Sequence, residues 1–177
     1  MTESNAGDRA VSALDIEDVF LVEAALKISR DFNPLEQFDE LSVGQTVGVD
    51  SNVIYQMRKF GNNDEEVHVL RYFVTADVRV LKPGVKPDER ELGESDYLAH
   101  MNFVFAADYR CPREAPSDQD LIGAFSKNAA FHVWPYLREA VHDACARMRL
   151  PRFTVPMMKP SPAQIRVADP TATVSPA

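Results

Sequence analysis

The sequence is short of the residues on which common chemistries depend. Its 177 residues include only two cysteines, Cys111 and Cys145, with no CxxC and no Cys/His cluster. A disulfide framework or a structural zinc site needs more, so free thiols in a reducing compartment are expected. The seven glycines form neither a P-loop nor a GxGxxG turn, and there is no GxSxG elbow, which sets aside nucleotide cradles and hydrolase nucleophiles of those kinds. No run of about 18 apolar residues is present to cross a bilayer. The opening "MTESNAGDRA" lacks the apolar core of a signal peptide, so the cytoplasm is the expected location, without membrane insertion. Basic charge is scarce as well: 19 Lys and Arg stand against 27 Asp and Glu, a net charge of −8. Nucleic-acid binding needs a basic face, and "VRVLKPGVKP" carries no interleaved aromatics. No nucleic-acid partner is expected, and the negative charge reads as a solubility device.

What is present is one domain's worth of apolar patterning. Residues 1–15 are small and polar and read as a disordered leader, and residues 160–177, rich in Pro, Ala and Thr, read as a flexible tail. Between them, residues 16–159 suit a single domain with its own core. Its first half alternates with strand period. Val22, Ala24, Leu26 and Ile28 share one parity, as do Val47, Val49, Val53, Tyr55 and Met57 in a second strand. After a turn over residues 61–64, Leu70, Tyr72, Val74, Ala76, Val78 and Val80 mark a third strand. A polar loop over 83–96 leads to a fourth, with Met101, Phe103, Phe105 and Tyr109 on one face. Short connections favour antiparallel pairing among strands two, three and four.

The period then changes. Ser117 and Asp120 have capping-box spacing, and Leu121 and Phe125 stand four apart, as in a short helix. Pro135 is read as the first residue of a second, longer helix, where its missing N–H is no loss. Along that helix Leu137, Val141, Ala144, Cys145 and Met148 form an apolar stripe, Asp143 and Arg147 pair at i, i+4, and Pro151 ends it. The predicted fold class is therefore α+β: a four-stranded antiparallel sheet followed by a short and a long helix packed on one face. The other face and the two sheet edges are left unfinished, which points to oligomerisation.

Candidate chemistry is thin. Of the four histidines, His68 and His100 fall on expected strands, where folding can bring them together. Without further ligands at metal spacing they read as structural or surface groups. Cys145 lies on the apolar stripe and reads as a small core residue, and Cys111, before Pro112, has no base assigned to it. The carboxylates of "DERELGESD" lack the spacing of a calcium loop. No catalytic residue, metal ligand or cofactor is assigned, and the chain is not expected to be an enzyme. Two proline-broken segments are instead conspicuously apolar: 32–47, with Phe32, Leu35, Phe38, Leu41 and Val43, and 150–158, with Phe153, Val155, Met157 and Met158. On the residues alone these segments either cap the core or form a binding surface.

Residues 118–156 carry a more specific pattern. Trp134-Pro135-Tyr136 is followed by Arg138-Glu139, then by Arg147, Pro151 and the apolar "FTVP". This block resembles the SecB family of protein-export chaperones. The upstream "DLIGAFSKNAAF" is similar to the shorter SecB-like chaperones found with toxin–antitoxin pairs. The resemblance implies a homotetramer, a dimer of dimers with long helices sandwiched between two eight-stranded sheets. It implies that Leu137, Val141, Cys145 and Met148 pack at subunit contacts. It also implies an ATP-independent holdase without nucleotide or other cofactor, whose clients are non-native polypeptides lying along Leu35, Phe38, Leu41, Val43, Phe153, Val155, Met157 and Met158. An antitoxin and the SecA translocase motor are the specialised partners it brings into view. After the apolar segment the chain runs into "KPSPAQIRVADPTATVSPA" with no second long helix, a departure from export SecB proteins that favours a specialised or solitary member. The alternatives are a dedicated adaptor for one folded partner and a small-molecule or enzymatic α+β domain, which needs polar groups converging on a pocket.

Overall fold

The structure, a computed structural model, describes residues 14–35, 41–50, 53–60, 65–86, 91–111, 119–151, 153, 155 and 165–167. In chain order they form β1 (Asp15–Ile28), β2 (Val43–Val49), β3 (Ile54–Phe60), β4 (Glu65–Leu81), a 3-10 turn (Glu94–Asp96), β5 (Tyr97–Cys111), helix α1 (Gln119–Met148) and β6 (Ile165–Val167). The sheet order is β1-β5-β4-β2-β6, with β3 also on β4. The pairing is antiparallel except for β6, which runs parallel to β2. The α+β class and the antiparallel sheet match the expectation.

Three features differ from it. The expected second strand is two strands, β2 on Val74–Val80 and β3 on Glu65–Arg71, laid end to end along β4. β4 is long enough, at 17 residues, to hold both. Ile165–Val167, within the expected flexible tail, adds a strand to β2, while the leader residues 1–13 and the rest of the tail lie outside the described residues. So do the turn at 61–64 and Ser117 of the expected capping box.

The third difference is the helix. Among the described residues there is one helix of 30 residues, and Pro135 lies inside it rather than at its start. A proline at that position leaves the Phe131 carbonyl without its helical donor and costs about 3 kcal/mol in a free helix. Packing on both sides of the interruption outweighs this. Phe125, Ala129, Val133 and Trp134 are buried before it, and Leu137, Val141, Ala144 and Cys145 after it. The ring of Pro135 itself faces solvent. At the other end Leu150 N–H donates to the Cys145 carbonyl (2.9 Å), and Arg149 takes the left-handed conformation (φ 55°) that closes the last turn. Pro151 follows, as expected.

The helix, roughly 45 Å long by its rise, crosses β1, β5, β4 and β2 on one face of the sheet. The core lies between, with Val74, Ala76, Val78, Met101, Phe103 and Phe105 below the helix and Val133, Leu137 and Val141 above. Three aromatic rings fix the first half of the helix. Tyr109 meets Phe125 edge-on at 4.6 Å, and Tyr72 lies 5.6 Å from Tyr109 and 5.7 Å from Phe125. The expected subunit-contact stripe is thus spent inside one subunit. Leu137, Val141 and Cys145 are 0–1% exposed and cover this chain's own sheet, and only Met148 remains half-buried.

Candidate apolar binding surface

Alternation along β1 places Ile16, Val19, Leu21, Ala24 and Leu26 on the helix side of the sheet, opposite Tyr109, Ala107, Phe105, Phe103 and Met101. The β5 partners are buried, yet Ile16, Leu21 and Leu26 are 41–47% exposed. The helix crosses β1 and buries Val19 but leaves these three side chains uncovered. A register shift between Leu21 and Glu23 brings Val22 out as well, half exposed, while Phe20 emerges on the opposite face. On the helix, Phe131 and Tyr136 are also exposed, with Phe131 packed edge-on to His132 at 6.1 Å. The sequence places Val22 and Leu26 on one parity of the first strand and Tyr136 in the Trp-Pro-Tyr block, but it does not mark any of these residues as exposed surface. The available clue was that β1 is apolar on both parities, Phe20 and Val22 as well as Val19 and Leu21.

Of the residues expected to bind clients, Leu35 is the most exposed large hydrophobic, at 88%. Leu41, Val43 and Phe153 are half-buried against the core, and Val155 is buried within it. Phe38, Met157 and Met158 lie outside the described residues. Part of each proline-broken segment therefore caps the core, and Leu35 of the first stands out in solvent.

The polar groups are arranged to hold the sheet together. On the face away from the helix, Asp108, at 1% side-chain exposure, accepts two hydrogen bonds from Arg71 (2.7 and 2.9 Å) and pairs with Arg58 (2.8 Å). Burial pushes the Asp108 carboxyl up, but Arg71 and Arg58 overcome this and hold it below the usual carboxylate range. Arg71 in turn sits 4.9 Å above the Phe20 ring, so one guanidinium ties β1, β4 and β5. On the helix side Tyr109 Oη and His132 Nδ1 are 2.9 Å apart. Burial holds His132 below its ordinary pKa, favouring the neutral ring that accepts this bond.

Nucleophiles are not prepared for attack. Burial pushes both thiols, Cys111 and Cys145, up to about 11, so each is protonated at neutral pH. His68 and His100 are not brought together. His68 pairs with Cys111 and His100 with Arg79, on opposite faces and roughly 36 Å apart along β5 by strand rise. Among the described residues no three His, Cys, Asp or Glu side chains gather as a metal site would need. No described helix is long and apolar enough to cross a membrane. What the arrangement offers is apolar surface held on a rigid sheet.

Comparison with known proteins agrees with this architecture. No protein-family model matches the sequence, and no curated protein matches it. Among solved structures, the SecB-like chaperone Rv1957 of Mycobacterium tuberculosis, in complex with a ChAD peptide from the Rv1956 HigA1 antitoxin, superposes with a TM-score of 0.61. Sequence identity is 17%, and the match covers 89% of this chain and 99% of that one. At such low identity the likeness is one of fold, and the fold of this chain is that of a SecB-like chaperone.

Proposed function

We propose that the protein is an ATP-independent holdase that keeps non-native polypeptides from aggregating. The observation that carries this reading is the concentration of exposed apolar side chains on one ordered scaffold: Ile16, Leu21, Val22 and Leu26 of β1, Leu35 beyond it, and Phe131 and Tyr136 on the helix. Unfolded chains present apolar side chains, and burying each is worth roughly 1.5–3 kcal/mol. Several weak contacts along one chain multiply by avidity, so no directional chemistry is required. Clients are taken along Leu35 and the half-buried Leu41, Val43 and Phe153, joined by Phe38, Met157 and Met158, and the exposed residues of β1 extend that track.

Assembly as a dimer of dimers belongs to the same proposal. β1 is a 14-residue strand paired on one side only, and such an edge readily continues a sheet into a second copy. Exposed Phe131 and Tyr136, with half-buried Met148, provide apolar helix surface for subunit contacts. The second reading is a dedicated adaptor for one partner, an antitoxin in particular. It is favoured by the structural neighbour's having been solved with an antitoxin peptide.

Light scattering of several unrelated aggregating proteins, with the native mass measured alongside, separates the two. A holdase suppresses scattering for all of them at near-stoichiometric ratios. Suppression of none, with a monomeric native mass, removes the holdase reading, and protection of a single cognate partner establishes the adaptor.

A further inference from the structure

The face of the sheet away from the helix carries a second feature that the apolar surface does not use. The strand register sets Lys27 of β1, His100 of β5 and Arg79 of β4 side by side in one cross-strand row. Basic residues directly opposite one another are disfavoured in a sheet unless something negative joins them. The row opens into a cavity of about 650 Å³ that also takes in Arg30 and Lys82. Four permanent cations line it against a single lining carboxylate, Glu94, in a chain whose net charge is −8.

The neutralisation already present is uneven. Asp77 holds Arg79 at 2.6 Å and His100 at 2.5 Å, and Arg79 is further fixed 5.3 Å from the Tyr97 ring centroid. The remaining pairs are loose. Lys27–Glu94 (3.1 Å) joins side chains 70% and 89% exposed, and Lys82–Asp31 spans 3.7 Å with Asp31 87% exposed. Exposed pairs of this kind contribute little and are readily exchanged. Arg30 has no ion-pair partner among the described residues.

We propose that this cavity docks an acidic segment of a polypeptide chain, its carboxylates taken by Lys27, Arg30, Arg79 and Lys82. Lys27 on β1 and Arg79 on β4 stand two strand spacings apart, roughly 10 Å, with Arg30 and Lys82 just beyond the ends of those strands. That is wider than one phosphate group spans, and it suits carboxylates on alternate residues of an extended chain, about 7 Å apart. Leu92 and Leu98 also line the cavity and offer apolar contact to the side chains between. Arg79 lies on β4, two strands in from the β1 edge, so the site is more than an edge feature awaiting a second copy. It stands on the opposite face from the helix and does not depend on holdase activity.

Fluorescence anisotropy with a labelled ten-residue peptide alternating glutamate and serine tests the site. Saturable binding at low salt is expected, about tenfold weaker or more in Arg30→Glu/Lys82→Glu. Arg30→Gln/Lys82→Gln should fall between, and the glutamine–serine peptide should not bind. Client holding should be unchanged in both variants. Equal affinity of the acidic peptide for wild type and both variants overturns the proposal. So does binding of tripolyphosphate without the peptide, which assigns a small-anion site, or dissociation of an assembly in both variants, which assigns the cations to a subunit contact.

Discussion

β1 and β5 lie side by side, at 14 and 15 residues, and both are rich in apolar side chains. In β5 ten residues are buried; in β1 only Val19 is. The difference is neighbours rather than composition. The helix crosses both, but β5 has a strand on each side, whereas among the described residues β1 has β5 on one side and an open far edge. Hydropathy marks a strand as able to enter a core, and topology decides whether it does. Apolar residues left on the outermost strand are a surface rather than a packing surplus.

That contrast is sharpest in the core of β5. Phe103→Ala, at a site 2% exposed, should destabilise the fold by about 3–5 kcal/mol in chemical denaturation. A loss below about 1 kcal/mol would show that β5 is packed no better than its neighbour. Asp108→Asn should cost roughly 1.5–3 kcal/mol by removing the charge, and one of the two acceptor oxygens, shared by Arg71 and Arg58. Because Asp108 is held below the usual carboxylate range, its stabilisation is full above about pH 4 and fades as pH falls through the lower native value. The gap between wild type and Asp108→Asn should therefore narrow in acid, as denaturation midpoints across pH will report. On β1 the smallest stability effect is expected. Leu21→Asp should move the unfolding free energy by about 1 kcal/mol or less, while lowering client retention in the scattering assay severalfold. A stability loss as large as that of Phe103→Ala would erase the distinction between the two strands.

Much of the fold is legible in the sequence because alternation is a local property. The inward sets of β4 and β5, from Leu70 to Val80 and Met101 to Tyr109, are buried as their parity requires. Pro135 is misread for the same reason: the rule for proline is local, while the contacts that hold the helix through it come from the sheet. Leu137, Val141 and Cys145 are correctly an apolar stripe, but periodicity does not say which surface a stripe covers. The edge position of β1 depends on pairing with β5, more than 70 residues later, and no local pattern encodes it. The exposure of Leu35 was not legible either: the residues leave open whether the 32–47 segment caps the core or faces solvent, and Leu41 and Val43 in the same segment are half-buried.

The junction between β2 and β3 has a consequence of its own. Two separate strands share one flank of β4, and hydrogen bonding along it runs through Asp50, whose N–H donates to the Phe73 carbonyl (2.9 Å), before β3 takes over opposite Arg71. Among the described residues β3 pairs with β4 and leaves Ile54, Tyr55 and Met57 outward, so its hold on the rest of the sheet depends on that one ladder and on the Arg58–Asp108 pair. One buried carboxylate thus serves as the rivet between a strand at the corner and the centre of the sheet, and loosening it would be felt first in the backbone amides of β3.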